Sequence, residues 1–176
     1  MLIETERLYM RPVRASDATA LYRLHSDPLV VRLTSNGIAM SRTQSDERLD
    51  LYLREWREYD FGFFIVYEKR VSGDLGFAGR CGLRNLDGNN VELGYCFNTQ
   101  ASGRGLATEA AAQIIHFAFS HRRLEKLVGL VRPSNAQSSR VLQKLGFVYT
   151  AMSIQRGVEY RRYQLHHKGR PGEISG

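Results

Sequence analysis

Two closely spaced glycines stand directly between a strand-like stretch and an amphipathic helical stretch, in the segment Gln100-Ala101-Ser102-Gly103-Arg104-Gly105-Leu106-Ala107-Thr108-Glu109. Glycines let the backbone turn tightly and keep side chains away from an approaching ligand. The amides of such a turn, and those of the first helical turn, point outward with the positive end of the helix dipole behind them. The segment therefore predicts an anion site suited to a pyrophosphate, to which Arg104 would add a charged donor.

Two other phosphate loops do not fit this segment. A Walker loop ends in Gly-Lys-Ser or Gly-Lys-Thr, which is absent here, and the dinucleotide fingerprint needs a third glycine where Thr108 stands. Two glycines alone would also fit a strand–helix turn that binds nothing.

The pattern around this turn predicts a layered α/β (α+β) domain with a mixed sheet of about seven strands and four helices. Strand-like stretches lie at residues 5–13, 63–67, 75–83, 91–97, 127–131, 147–154 and 160–165. Helical patterns lie at residues 16–27, 42–59, 105–122 and 135–145, the second of them after a Ser41-x-x-Gln44 capping box. Asp27-Pro28 is interpreted as the end of the first helix, and Thr34-Ser35-Asn36-Gly37 as a loop signal within residues 29–40.

The length and composition favour a single domain. The chain has 176 residues, of which 1–167 would form the domain and 168–176 a flexible tail. No apolar run approaches the ~20 residues of a spanning helix, and the first residues lack the apolar core of a signal peptide. Cys81 and Cys96 have no CxxC or His-rich neighbours, which argues against a disulfide framework or a metal site. The expected compartment is the reducing cytoplasm.

Basic residues exceed acidic ones by +7, which suggests an anionic partner without identifying it. Nucleic acid, a membrane face and a phosphorylated small molecule are all compatible with this surplus. The sequence also contains a basic cluster, which consists of Arg122, Arg123, Lys126 and Arg132. We interpret this basic cluster as a solvated face. The run Tyr160-Arg161-Arg162-Tyr163 interleaves aromatic and basic residues, although it fits an alternating strand equally well.

A second informative segment is Asn135 to Phe147, in which Asn135 is a natural N-cap and Ser138 lies on the apolar helix face. Its Asn135-x-x-Ser138 spacing, followed by residues 141–147, resembles the downstream motif of the GNAT acetyltransferases. Gln-x-x-Gly-x-Gly at residues 100–105 resembles the acetyl-CoA signature of the same superfamily. The opening residues 4–17, together with Glu92-Leu93-Gly94-Tyr95, resemble the RimJ/RimL-type branch, and the likeness covers residues 3 to about 165.

This resemblance implies the GNAT fold, with a mostly antiparallel sheet splayed beside the strand that ends near Phe97. It implies acetyl-CoA as cosubstrate and no metal. The backbone of Tyr95-Cys96-Phe97-Asn98 would pair with the pantetheine amides, and Asn135 would help hold the pantetheine arm or a water. The implied pyrophosphate site comprises Gln100 of the signature and Gly103, Arg104, Gly105, Leu106, Ala107 and Thr108. Arg140, Lys144 or the basic cluster could meet the 3′-phosphate.

The resemblance also implies acetyl transfer to an amine by direct attack in a ternary complex. Glu92 is the candidate base, although it could instead be a surface or ion-paired strand residue. A backbone amide near Phe97 would serve the oxyanion. Many relatives carry a Leu-Tyr pair where this chain has Val141-Leu142, so sulfur protonation would fall to Ser138, Tyr95 or water. Cys96 is a poor candidate nucleophile, because no His or carboxylate partner is evident.

The acceptor is left open between a protein N-terminal α-amine, as in RimJ/RimL-type members, and a small amine such as a polyamine, an antibiotic or an amino acid. Residues 29–40, the second helix and the turn near Gly157 would choose it. A basic RNA- or ribosome-binding module without catalysis is the alternative from another class, and a catalytically dead CoA-binding domain is a third. Neither a membrane nor nucleic acid is the expected partner. Relatives are often dimers, although the sequence contains no interface signal.

Overall fold

Eight strands form one mixed sheet in the computed structural model, which describes residues 1–34 and 37–168. They are β1 (Ile3–Glu4), β2 (Leu8–Pro12), β3 (Phe63–Lys69), β4 (Leu75–Asn85), β5 (Val91–Phe97), β6 (Lys126–Val131), β7 (Val148–Gln155) and β8 (Val158–His166). Their order across the sheet is β1-β2-β3-β4-β5-β6-β8-β7. Only the β5–β6 neighbours are parallel in this described sheet. The predicted fold class, a mixed and mostly antiparallel sheet with flanking helices, is confirmed.

Five α-helices flank the sheet within the described ranges. They are α1 (Ala18–His25), α2 (Pro28–Thr34), α3 (Arg42–Tyr59), α4 (Leu106–His116) and α5 (Ala136–Lys144). A π-helical turn, Phe117–His121, extends α4, and short 3₁₀ turns lie at Ala15–Asp17 and Thr99–Ala101. Helix α3 has the predicted bounds and the predicted capping box: Ser41 Oγ accepts from the Gln44 amide at 3.1 Å, and Gln44 Oε1 accepts from the Ser41 amide at 2.9 Å. None of the described helices is both long and apolar enough to cross a bilayer.

Two elements exceed the predicted counts. Strand β1 is only two residues long and pairs with β2 through Ile3 and Met10. Helix α2 occupies the first part of residues 29–40, which the sequence analysis treated as a loop; Ser35, Asn36 and residues 169–176 of the predicted tail lie outside the described residues. Pro28 suits a first helical position, and Asp27 Oδ1 accepts from the Leu29 amide at 3.0 Å. Asp27-Pro28 therefore starts a second helix as well as ending the first.

The helices divide between the two faces of the sheet. Helices α1 to α3 pack on one face, where buried Leu21, Leu24 and Leu49 meet Phe63 and Ile65 of β3. Helices α4 and α5 cover the other face, with a core that includes Phe64, Leu83, Leu93, Phe97, Ala110, Ile114 and Leu142. Strand β5 alternates between them, since Leu93 and Phe97 join the second core and Cys96 joins the first.

The sheet opens between β5 and β6. Their register contains one pair, Glu92 with Val128, although both strands continue past it. Residues 129–131 of β6 remain paired with residues 161–163 of β8, so β6 follows its other neighbour away from β5. This divergence is the predicted splay beside the strand that ends at Phe97.

Candidate active site

Two adjoining cavities follow the opening between β5 and β6. The inner cavity is walled by β5, α2 and α5, through Leu29, Val30, Leu33, Thr34, Tyr95, Cys96, Phe97, Ser102, Ala107, Asn135, Gln137, Ser138 and Val141. The outer cavity lies at the start of α4 and is lined by Phe97, Ala101, Ser102, Gly103, Gly105, Leu106, Ala107, Thr108, Gln137, Arg140, Val141 and Lys144. Five residues line both cavities. The two cavities therefore form one cleft, which runs from the glycine turn to the inner end of β5.

The glycine turn has the backbone conformation that an anion cradle requires. Gly103 has φ 76° and Gly105 has φ 78°, which is the left-handed region where other residues are strained. Gly105 is the N-cap of α4, so the amides at Leu106, Ala107 and Thr108 begin the helix at the outer cavity. A Cβ at Gly103 would meet no atom within 4 Å and would project into open space at the cavity lining. The turn therefore fits the pyrophosphate-type ligand inferred from the sequence.

The Arg104 side chain does not take the place that the sequence analysis gave it. Its guanidinium binds the two carboxylate oxygens of Glu68 on β3 at 2.6 and 2.7 Å, and the Gln100 carbonyl at 3.1 Å. It lines neither of the two cavities, because this bidentate pair holds it on the opposite side of the turn. Gln100 is exposed and contributes only that carbonyl. The cationic side chains that face the outer cavity are those of Arg140 and Lys144.

The N-terminal segment holds the glycine turn in place. Glu109 of α4 accepts from Thr5 Oγ1 at 2.5 Å and from Arg7 Nε at 2.6 Å. Arg7 Nη1 also donates to the Arg104 carbonyl at 2.9 Å. These contacts join the segment between β1 and β2 to Arg104 within the turn and to the first turn of α4, so the turn is held by the protein's own side chains.

Tyr95 and Ser138 form a hydroxyl pair in the inner cavity. The Tyr95 hydroxyl lies 2.9 Å from Ser138 Oγ and donates to the Ser138 carbonyl at 3.0 Å. Asn135 caps α5 as predicted, since its Oδ1 accepts from the Ser138 amide at 3.1 Å. Burial raises the pKa of the Tyr95 phenol, which is therefore protonated at neutral pH. The structure brings together two residues that the sequence offered only as alternatives.

Glu92 lies on the other face of β5, beneath α3. Its carboxylate forms an ion pair with Arg84, its cross-strand neighbour on β4. Burial raises the pKa of Glu92, and the positive charges of Arg84, Arg80 and Arg48 offset part of that rise. Glu92 is thus both ion-paired and a buried carboxylate of raised proton affinity, which is suitable for a general base.

Two other predicted site residues, Cys96 on β5 and Asn98 directly after it, are held by contacts within the protein. Cys96 is buried with the α1–α3 core, and burial raises the pKa of its thiol, which agrees with the low expectation for a nucleophile. The Asn98 amide shapes the turn that follows β5: Oδ1 accepts from the Ala101 amide and Nδ2 donates to the Phe77 carbonyl, both at 2.9 Å. No group of three or more potential metal-ligating side chains was found in the described part of the chain.

Helix α2 covers the inner cavity, which was not expected from the sequence. Leu29, Val30 and Leu33 close that cavity opposite β5. Helix α2 is anchored by Asp27, whose carboxylate accepts from the Thr99 amide at 3.0 Å and from Thr99 Oγ1 at 2.7 Å. The Asp-Pro pair was a detectable signal for a helix start, whereas the contact with Thr99 could not be read from the local sequence.

A splayed strand pair beside a glycine-turn anion cradle defines an acyltransferase class, and comparison with known proteins agrees. The family model described as "Acetyltransferase (GNAT) domain" matches residues 7–148, and the chain belongs to this family. The protein YkkB of Bacillus subtilis, uncharacterized by its name, is 30% identical over 150 residues, which is 83% of this chain and 84% of YkkB.

Solved structures show the same fold at low sequence identity. An acetyltransferase from Agrobacterium tumefaciens superimposes with a TM-score of 0.80 at 22% identity, covering 95% of each chain. RimL, a ribosomal L7/L12 α-N-protein acetyltransferase solved in complex with coenzyme A, superimposes with a TM-score of 0.77 at 14% identity and covers 94% of this chain and 98% of its own. These structures confirm the fold, and the family model confirms the predicted GNAT membership and acetyltransferase class.

Proposed function

We propose that this protein is an acetyl-CoA-dependent N-acetyltransferase that acetylates a primary amine by direct attack in a ternary complex. The observation that carries this proposal is the continuous cleft from the glycine turn to the Tyr95–Ser138 pair, with Glu92 on the opposite face of the same strand. Strand β5 thus lies between the face that would bind acetyl-CoA and the buried carboxylate of Glu92.

The residues of the cleft suit acetyl-CoA. When bound, acetyl-CoA supplies the acetyl group activated as a thioester. The amides of residues 103–108 would hold the pyrophosphate at the N-terminus of α4. Arg140 and Lys144 would add positive charge beside it, in the place first assigned to Arg104. The open edge of Tyr95-Cys96-Phe97-Asn98 and the Asn135 side of α5 would accommodate the pantetheine arm.

The protein's own groups can manage the protons. Glu92 would take a proton from the incoming ammonium, directly or through one water, and its raised pKa brings its proton affinity closer to that of an amine. The Tyr95–Ser138 pair can deliver a proton to the departing CoA sulfur: Ser138 Oγ would give up its proton and take one from the Tyr95 hydroxyl, which would be reprotonated from solvent. A backbone amide near Phe97 would stabilise developing negative charge on oxygen.

For the acceptor, a protein N-terminal α-amine is the first candidate and a small amine the second. The fold likeness to RimL and the sequence likeness to the RimJ/RimL-type branch support the first. The covering of the inner cavity by α2 supports the second, because it narrows the space beside β5. A catalytically inactive RNA-binding module would give no reason for this cleft.

A thiol-release assay tests the proposed function. Acetyl-CoA is incubated with the protein and, in turn, with N-terminal peptides, polyamines, aminoglycosides and amino acids, and free CoA is measured. We expect release that depends on at least one amine, with the acetylated product identified by mass. Tight binding of acetyl-CoA with no release for any amine would contradict the catalytic proposal.

Removing the Ser138 hydroxyl is expected to lower kcat while acetyl-CoA affinity stays within about twofold. Loss of one proton donor reduces rates by roughly 10²-fold or more, so Ser138→Ala should fall in that range. Tyr95→Phe should have a smaller effect, because it removes only the partner of the donor. Steady-state rates and calorimetric Kd values for CoA measure both. Ser120→Ala, at an exposed serine of the π-helical turn, is the matched control, and equal kcat for S138A and S120A would exclude Ser138 as the donor.

A further inference from the structure

An arginine cluster lies on the Glu92 face of the sheet, opposite the donor cleft. It consists of Arg48 on α3 and of Arg80 and Arg84 on β4. Arg80 is the register partner of Cys96, and Arg84 is the register partner of Glu92. Cross-strand partners share a face, so the cluster stands beside the β5 residues that face α1 and α3.

Only one of these three arginines forms an ion pair with Glu92 among the described residues. Arg84 forms the ion pair with Glu92 and also acts on the nearby carboxylate of Glu55. The Arg80 guanidinium instead lies over two aromatic rings, 5.1 Å from the Tyr52 centroid and 4.5 Å from that of Phe63. Arg48 and Arg80 influence Glu92 through space alone. Among the described residues, Arg48 and Arg80 therefore form no direct ion pair with a carboxylate, unlike Arg84.

Unpartnered polar atoms concentrate at the same place. Five buried side-chain polar atoms lack a hydrogen-bond partner among the described residues, and four of them lie between α1, α3 and β4: His25 Nε2, Tyr52 Oη, Arg80 Nε and Arg84 Nε. Buried polar groups in proteins are nearly always satisfied, so a cluster of exceptions marks a place where ordered water or a polar ligand binds. His25 adds no positive charge to the cluster, because burial and the charges of Arg80 and Arg48 lower its pKa to about 3 and keep its ring neutral.

This region adjoins the proposed acetyl-transfer site at Cys96, although neither Arg80 nor Arg48 lines the two cavities. The inner cavity reaches Cys96, the register partner of Arg80. Gly82 and Gly94 form the next pair on this face, between the Arg80–Cys96 pair and the Arg84–Glu92 pair. The two strands therefore place no side chain of their own between Arg80 and Glu92, and the Phe63 ring of β3 packs against Gly94 there. A molecule whose amine approaches Glu92 would bring its neighbouring groups close to Arg80 and Arg48.

We propose that Arg80 and Arg48 bind a carboxylate of the acceptor, so that the substrate class is an amine with an acidic group a few bonds from its nitrogen. This inference rests on the proposed acetyltransferase function. The carboxylate can be the α-carboxylate of a free amino acid or the side chain of an acidic N-terminal residue. A guanidinium fork matches the geometry of either, and Arg80, which packs on two rings and leaves its Nε without a hydrogen-bond partner, can still form such a pair.

Calorimetry on the CoA-saturated protein tests the inference without turnover. The first pair of probes is alanine and alaninamide. The second pair is a tripeptide amide that begins with glutamate and the same peptide beginning with glutamine. We expect the acidic member of at least one pair to bind roughly 10- to 100-fold more tightly than its neutral partner. The pair that shows the preference identifies the source of the carboxylate.

Substitutions then assign the preference to the cluster. Arg80→Gln and Arg48→Gln are expected to lower the acid-to-neutral affinity ratio by roughly tenfold or more, and Arg80→Lys to restore part of it. Arg70→Gln is the matched control, because Arg70 pairs with Asp74 in an exposed turn. Thermal unfolding verifies that each variant folds; since Arg80 packs on two rings, the partly exposed Arg48 provides an independent second variant.

Three results would overturn the inference: equal affinity for acidic and neutral probes, binding of neither, or a preference that survives in both R80Q and R48Q. Thiol release with the same four probes separates this failure from failure of the proposed function. Acetylation of acidic and neutral amines with equal KM would refute carboxylate recognition and leave the acetyltransferase proposal standing. Absence of release with every amine would refute that proposal, while the calorimetric preference would still decide what the arginines bind.

Discussion

Replacing Glu92 by glutamine is expected to lower kcat/KM for the acceptor amine by about 10²- to 10⁴-fold, the range that a general base contributes. Glutamine keeps the shape of the side chain and removes its ability to accept a proton. The pH profile provides a second readout. Because the base works as the carboxylate, wild-type activity should rise with pH through the raised pKa of Glu92. The E92Q variant should lack that ionisation and retain only that of the amine.

The structural role of Glu92 must be separated from the catalytic one. The substitution leaves the partly exposed Arg84 without its carboxylate partner and buries an unpaired amide in place of Glu92, which is expected to destabilise the protein. Rates should therefore be measured well below the Tm of the variant, and CoA affinity should stay within about twofold of wild type. Glu47→Gln, at an exposed position of α3, is the matched control. If the activity of E92Q still rose with pH over the same range as that of the wild type, another group would be the one that accepts the proton.

Replacing Gly103 by valine is expected to weaken CoA binding by about 30- to 100-fold, or about 2–3 kcal/mol. The new side chain would project into the open space where the turn meets the outer cavity. It would also strain the backbone, since φ is 76° at this position, at about 1–2 kcal/mol of folding stability. Calorimetric titration with CoA and thermal unfolding measure the two effects.

Gly73 offers a control with the same backbone and no ligand. It has φ 87° in the turn between β3 and β4, and a Cβ there would also meet nothing within 4 Å. Gly73→Val should lose a similar amount of stability and keep wild-type affinity for CoA. If both variants bound CoA equally well, the glycine turn would not be the phosphate site.

The architecture could be predicted where local patterns were strong. The bounds of α3 follow from its capping box and its apolar spacing, and the β3–β5 meander from its turn chemistry. Strand β1 was missed because two residues carry no period, and it exists through pairing with β2. Helix α2 was missed because Asp27-Pro28 fits both the end of one helix and the start of the next. The contact of Asp27 with Thr99 joins residues 72 apart, which no local pattern contains.

The candidate site shows the same division between local and distant information. The positive φ of both glycines and the capping role of Asn135 followed from residue type and position. Residue type did not reveal where the Arg104 guanidinium points, because its partner Glu68 comes from another strand. The arginine cluster was also invisible, since Arg48 meets Arg80 and Arg84 only when α3 packs on β4.

The contacts of Thr5 and Arg7 with Glu109 would affect the free energy of the acetyl-CoA binding proposed for the glycine turn. A free loop loses conformational entropy when a ligand orders it, about 1–2 kcal/mol for each residue fixed. In this protein the turn is already ordered in the folded state. Its loss of conformational entropy therefore lowers the stability of the fold and not the affinity for the ligand. Lys69 extends the link, because its Nζ binds Glu4 of β1 at 3.0 Å and the Thr5 carbonyl at 2.8 Å. The affinity of the turn for the proposed acetyl-CoA would thus be coupled to the pairing of the first strands, although none of their side chains lines the cleft.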